Sequence, residues 1–204
     1  MKTKLFSFFC VTIFAIGLVA FSTRARQKGT NLAPKETETA RLAKDALAPR
    51  AFRATQIETY IDREGNETVR HIRIRRTSED GTWSEVWQSV GREGQTIHTG
   101  NPATGEYTVG DTKESMTLPN TESASSRLSL YRNPEFLAGR KGFQGKEKIA
   151  GLDAYVFRGE IKDHPGMWIE TAHAPETGPF YLRMIQHNPD GSEVRIETVS
   201  VKFK

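Results

Sequence analysis

Glu170, His173 and His187 fall close together in the stretch WIETAHAPETGPFYLRMIQHNPDG, Trp168 to Gly191, which holds two further carboxylates. Carboxylates beside imidazoles are the raw material of general acid–base catalysis or of a zinc site. The spacing decides against both. PETG (175–178) and NPDG (188–191) are turn sequences between runs rich in β-branched and aromatic residues, so the stretch reads as two successive β-hairpins. The first sets His173 opposite Phe180 or Tyr181, according to whether its loop carries a bulged residue. His187 then lies six or seven residues further along that strand. At about 3.3 Å per residue the imidazoles stand roughly 20 Å apart, against zinc–nitrogen bonds of about 2.1 Å.

The same register places the charges. An even loop sets Glu170 opposite Arg183, and an NPDG turn ending in a left-handed Gly191 sets Arg183 opposite Glu197. These three form one expected ladder, accompanied by Trp168, Tyr181 and Ile185, while Ile169, Leu182, Met184, Val194 and Ile196 share the other face. A mixed face of this kind is either a solvated outer surface or the lining of a groove. WSEVW places Trp83 and Trp87 on one strand face with Glu85 between them, either packed under a helix or forming an aromatic groove wall. Trp83, Trp87, Trp168, Tyr181 and Ile185 are therefore the candidate ligand-binding residues.

Other motifs carry less. GRKGFQGKE (139–147) has Arg140 where a phosphate loop needs its first glycine, and Glu147 where it needs a hydroxyl. The chain has no H-E-x-x-H and no G-x-S-x-G, and its one cysteine, Cys10, lies in the N-terminal apolar run. Asp62, Asp80, Asp163 and Asp190 sit in turns, where aspartate bonds local backbone. His71 and His98 are isolated on strands and His164 is in a turn, so all three read as structural. No catalytic set, metal site or cofactor is expected.

The basic pI of 9.2 belongs to one region. Residues 1–51 carry nine Lys and Arg against three Asp and Glu, whereas residues 52–204 carry twenty against twenty-two. A nucleic-acid reader needs its charge on the folded body, so nucleic acid is not an expected partner. RHIRIRR (70–76) puts Arg73 and Arg75 on one strand face and reads as solvated.

The elements that position these residues follow from punctuation. Lys2 and Lys4 precede an apolar stretch from Leu5 to Phe21, about 26 Å as a helix. Small residues before Thr23 fit signal cleavage, and the length also fits an uncleaved anchor, so residues 1–22 are a signal peptide or a membrane anchor. Either way the body is exported, periplasmic or held on the inner membrane facing the periplasm. Residues 23–51 are a polar linker, with a helix expected between Thr30 and Pro49. Residues 52–204 form a single antiparallel domain of about five strands, a loop with a helical insert (111–139), then about five more. Within the insert, 111–127 reads as loop, and Asn133, Pro134 and Gly139 mark the start and stop of the short helix. The fold class is mainly β with minor α: an antiparallel meander curving into a sheet or half-barrel, with an N-terminal helix and the insert.

The segment GKEKIAGLDAYVF…GMWIETAHAPETGPFYLRMIQHNPDGSEVRIETV (145–199) resembles bacterial lipoprotein-carrier domains of the LolA/LppX/RseB type in its strand and turn order. The resemblance implies a half-barrel with helices across its hollow side, an envelope location and an apolar ligand such as a lipid, an acyl chain or a lipidated protein. A non-enzymatic protein binding such a ligand on a curved sheet is the first expectation. The alternative is a membrane-tethered interaction or sensing domain.

Overall fold

The computed structural model describes residues 38–101, 104, 106–110, 112–115 and 129–204. The expectations for the signal or anchor (1–22), the first part of the linker and most of the 111–127 loop lie outside these residues.

Eleven strands form one antiparallel sheet. The first six are β1 (Phe52–Ile61), β2 (Glu67–Thr77), β3 (Trp83–Ser89), β4 (Gln95–Asn101), β5 (Glu106–Val109) and β6 (Thr112–Ser115). The last five are β7 (Phe143–Ile149), β8 (Leu152–Glu160), β9 (Trp168–His173), β10 (Tyr181–His187) and β11 (Glu193–Phe203). Their order is β6-β5-β4-β3-β2-β1-β11-β10-β9-β8-β7, so the sheet is unclosed and each half is a simple meander. β6 corrects the loop expected over 111–127. Val109 pairs with Thr112 across a tight turn at Gly110, whose φ of 57° suits glycine, and Thr112–Ser115 continues the ladder through its backbone.

Short helical segments accompany the sheet. α1 (Glu38–Lys44) lies within the expected N-terminal helix and ends before Pro49. α2 (Pro134–Gly139) matches the expected insert. The Asn133 side chain accepts from Phe136 N at 3.0 Å and proline stands in the first turn. Asn133 also donates to Leu42 O at 2.7 Å and Arg41 pairs with Glu135 at 2.7 Å, which ties α1 to α2.

The sheet curves toward one face. Gln56 on β1 donates to Tyr181 O at 2.9 Å, although β11 lies between their strands, and Phe52 meets Phe180 with ring centroids 5.3 Å apart. On a flat sheet those strands would be about 9–10 Å apart, so the contact marks the inner side of a bend. α2 covers one end of this inner face, where Leu137 packs on Tyr155 and Phe157 with Tyr131, Phe136 and Phe143 around them. A second cluster joins the halves through Phe52, Ala54, Ala154, Val156, Ala172, Ala174, Phe180 and Leu182.

Leu182 is fully buried in that joint. Leu182→Ala is expected to destabilise the protein by about 2–5 kcal/mol, read as a lower urea midpoint at unchanged m-value.

Candidate functional site

The inner face of β1–β4 is built from register. Arg73 stands directly opposite Gln56 and Trp87, Arg75 opposite Ala54 and Glu85, and Thr77 opposite Phe52 and Trp83. Direct cross-strand partners share a face, so the alternating basic, acidic and aromatic residues of three strands meet. Glu58 pairs with Arg73, and Arg75 Nη1 lies 3.3 Å from Glu85 Oε2. The Arg73 guanidinium lies 3.7 Å from the Trp87 centroid, and that of Arg75 4.0 Å from Trp83. The Trp87 indole N–H donates to Glu85, and its ring stacks on His98 at 4.4 Å.

This corrects the reading of Arg73 and Arg75 as a solvated face. Arg73, Glu58, Glu85 and Gln56 are buried. Two carboxylates balance two guanidiniums, and a buried charge persists only when paired. Burial pulls Arg75 below the usual arginine range, with Glu85 opposing, and pushes the Tyr181 phenol up. Burial also lowers His71 and His98, which are neutral at physiological pH. The sequence did carry a signal for this cluster: Glu58 and Glu85 fall at the register positions that flank the arginines.

One arrangement here resembles a hydrolase set. Glu58, His71 and Ser89 follow one another across three strands, with His71 Nδ1 3.3 Å from Glu58 Oε1. The Glu58 carboxylate is already engaged by Arg73, and among the described residues no hydrogen bond joins Ser89 to the imidazole. The arrangement is thus bound into the Glu58–Arg73 pairing of the inner face.

The five candidate residues divide between the two faces. Trp83, Trp87 and Tyr181 share the inner face, Tyr181 reaching Arg73. Trp168 and Ile185 lie on the outer face. Ile185 pairs with Glu170 and Arg195, and Arg195 with Thr59, one residue out of phase with the Ile196–Glu58–His71 ladder. Trp168 is occupied: the Arg158 guanidinium lies 3.5 Å from its centroid and His187 stacks on it at 3.3 Å.

The turn register and a bulge together explain the split. Tyr181 pairs with His173 and Arg183 with Ala172, so Leu182 is the extra residue. The turn sets His173 opposite Tyr181 instead of Phe180, one residue of shift, and the bulge adds a second, so Glu170 stands opposite Ile185 instead of Arg183; it meets Arg183 diagonally at 2.6 Å, while Glu147 holds the same guanidinium at 2.6 Å. The NPDG turn keeps its expected register, with Arg183 opposite Glu197 and Gly191 at φ 85°. His173 and His187 occupy opposite ends of the β9–β10 ladder, facing Tyr181 and Trp168. His173 is buried between Tyr131 and Phe157, and burial with the nearby Arg140 charge lowers its pKa to about 3.

The outer face of β1–β4 holds an open groove of about 200 Å³ lined by Arg53, Ile72, Ile74, Arg76, Ser84, Val86, Gln88 and Gln95. Ile72 and the neighbouring Ile97 are 36% and 48% exposed. The alternation of HIRIR does not reveal this surface, since which of its two faces is solvated depends on partners from other strands.

No family model matches the chain, and no curated protein matches it by sequence. Solved structures similar to it include the MucA/MucB complex of Pseudomonas aeruginosa, at 18% identity over 80% of this chain and 54% of that one, with a TM-score of 0.41. An uncharacterized conserved protein from Thermus thermophilus shares 10% identity over 82% of this chain and 86% of its own, with a TM-score of 0.42. A LolA superfamily protein from Nitrosomonas europaea shares 9% over 84% and 94%, with a TM-score of 0.39. The chain spans a little over half of the MucB chains it matches. The likeness is one of general fold, and no functional residue is carried across it.

Two outcomes follow from the buried groups. Glu58→Gln strands the Arg73 charge and is expected to cost about 3–5 kcal/mol, most of it recovered by Glu58→Gln with Arg73→Met, as measured by urea unfolding. His173 has a folded pKa below its unfolded value of 6.5, so its contribution is complete above pH 6.5 and declines as pH falls toward about 3. A His173→Gln variant is expected to show a flatter loss of stability across that window in pH-dependent melting.

Proposed function

We propose that this chain is a non-enzymatic, exported protein of the cell envelope that accepts an apolar ligand, a lipid or acyl chain or a lipidated partner, on its curved sheet. The observation that carries this reading is the outer aliphatic groove. Ile74 and Val86 form a direct cross-strand pair continued by Ile97, and Ile57 pairs with Ile72 in the next row on the same face. Contiguous exposed aliphatic side chains in adjacent rows are the kind of surface that a ligand or partner can cover. The inner face supports the reading by exclusion, since its charged and aromatic side chains are already paired with one another. At about 200 Å³ the groove is smaller than the roughly 300–1,000 Å³ that encloses a whole small molecule. The ligand therefore lies along it as a chain. Of the residues first singled out, Trp83, Trp87 and Tyr181 act in this reading from beneath, holding the wall rigid, and Trp168 and Ile185 lie outside the groove.

The openness of the groove favours a second reading, a membrane-tethered interaction domain that docks a protein partner on the same face. Titration of the full chain with a fluorescent C16 fatty acid separates the two. Saturable binding weakened tenfold or more by Val86→Asp, with an unchanged circular dichroism spectrum, is the expected result. No binding, together with a protein crosslinked in the envelope and released by the same substitution, would establish the second reading instead.

A further inference from the structure

One end of the groove is cationic in a way that the rest of the domain is not. Arg53 on β1 stands directly opposite Lys202 on β11 and directly opposite Arg76 on β2. Three cations thus occupy consecutive strands in a single row. All three are exposed, and among the described residues none has an acidic partner. Like charges directly opposite one another destabilise a sheet, and residues 52–204 carry more acid than base. The row is therefore a local concentration of charge, not part of a basic surface. Two of its members, Arg53 and Arg76, line the aliphatic groove, whose eight lining residues include no carboxylate.

The two chemistries adjoin in a fixed order. On one face of a strand, successive rows are two residues apart, roughly 7 Å. The row after Arg53–Arg76 holds Ile74, Val86 and Ile97, and the row beyond it holds Ile57 and Ile72. Along β2 an aliphatic strip runs from Arg76 past Ile74 to Ile72, roughly 13 Å, with Gln88 beside Ile72 and Glu197 beside Ile57 at its far end.

We propose that the groove takes a single-chain anionic amphiphile, its phosphate or carboxylate headgroup held by Arg53 and Arg76 and its chain lying over Ile74, Val86 and Ile72. The proposal rests on the outer groove being the binding surface. Arginine suits the headgroup because its planar fork binds such oxyanions through paired hydrogen bonds. Lys202 adds charge at the rim. Binding relieves the repulsion along the row, so the ligand supplies the acid that the sheet lacks.

Three probes at concentrations below micelle formation test this on the full chain: lysophosphatidylglycerol, lysophosphatidylcholine with the same acyl chain, and glycerol 3-phosphate. The wild type is expected to bind the first at least tenfold more tightly than the second, with an affinity that falls as salt rises, and to bind the third weakly. Arg53→Gln with Arg76→Gln is expected to erase that preference, weakening lysophosphatidylglycerol binding at least tenfold and lysophosphatidylcholine binding by less. The double variant should melt no lower than the wild type, since it removes a like-charge contact. Equal binding of both lysolipids by the wild type would overturn the anionic headgroup while leaving the groove reading intact. Glycerol 3-phosphate bound as tightly as the lysolipid would overturn the amphiphile in favour of a free phosphate. Failure of both lysolipids to bind would overturn the groove reading and the proposal with it.

Discussion

The pairing of Glu58 with Arg73 governs much of this structure. Both groups lie on the inner side of a bend, where water is excluded and an unmatched charge would be intolerable. Their pairing lets β1 and β2 carry polar residues inward, and the second pair, Arg75 with Glu85, extends the same solution to β3. Once the inner face is committed to charge and indole, the isoleucines of β2 must take the opposite side. The outer groove is therefore a consequence of how the inner face is filled, since each strand offers only two directions for its side chains.

Much of the architecture was legible because turns are local. NPDG fixed the β10–β11 register, and Asn133 with Pro134 marked the insert helix, since each depends on a few neighbouring backbone angles. The meander order followed from short connections. What escaped was set by single residues or by distant ones. The turn that sets His173 opposite Tyr181 instead of Phe180 and the extra residue Leu182 in β10 each shift the register by one; together they moved Glu170 from Arg183 to Ile185, the first separating Tyr181 from Trp168 and the second separating it from Ile185. No turn signal announces a bulge in mid-sequence.

The candidate surface was hidden for a different reason. In Arg70–Arg76 both faces of the strand are amphipathic, arginine on one and isoleucine on the other, apart from the ends. Ordinary reasoning sends the isoleucines in and the arginines out, and it holds unless the arginines find partners inside. Those partners come from Glu58 and Glu85, on two other strands, so the inversion is a property of three strands together.

The sheet is sewn along its middle. Its first strand, β1, and its last, β11, are neighbours at the centre, and Phe52 lies opposite Phe203. Each flank, β2–β6 and β7–β10, is a run of local hairpins that can form as soon as its own residues are available. The central seam cannot, because it joins the two ends of the domain and must close the whole intervening chain as a loop. During synthesis, β1 waits with one edge open until the final strand emerges. Until then Gln56 lacks Thr198 and Tyr181, and the bend that buries the charged pairs has nothing to close against. The domain is thus complete only when all of it is present, and a truncated or stalled chain leaves an open β edge at the place where the finished molecule is most tightly bound.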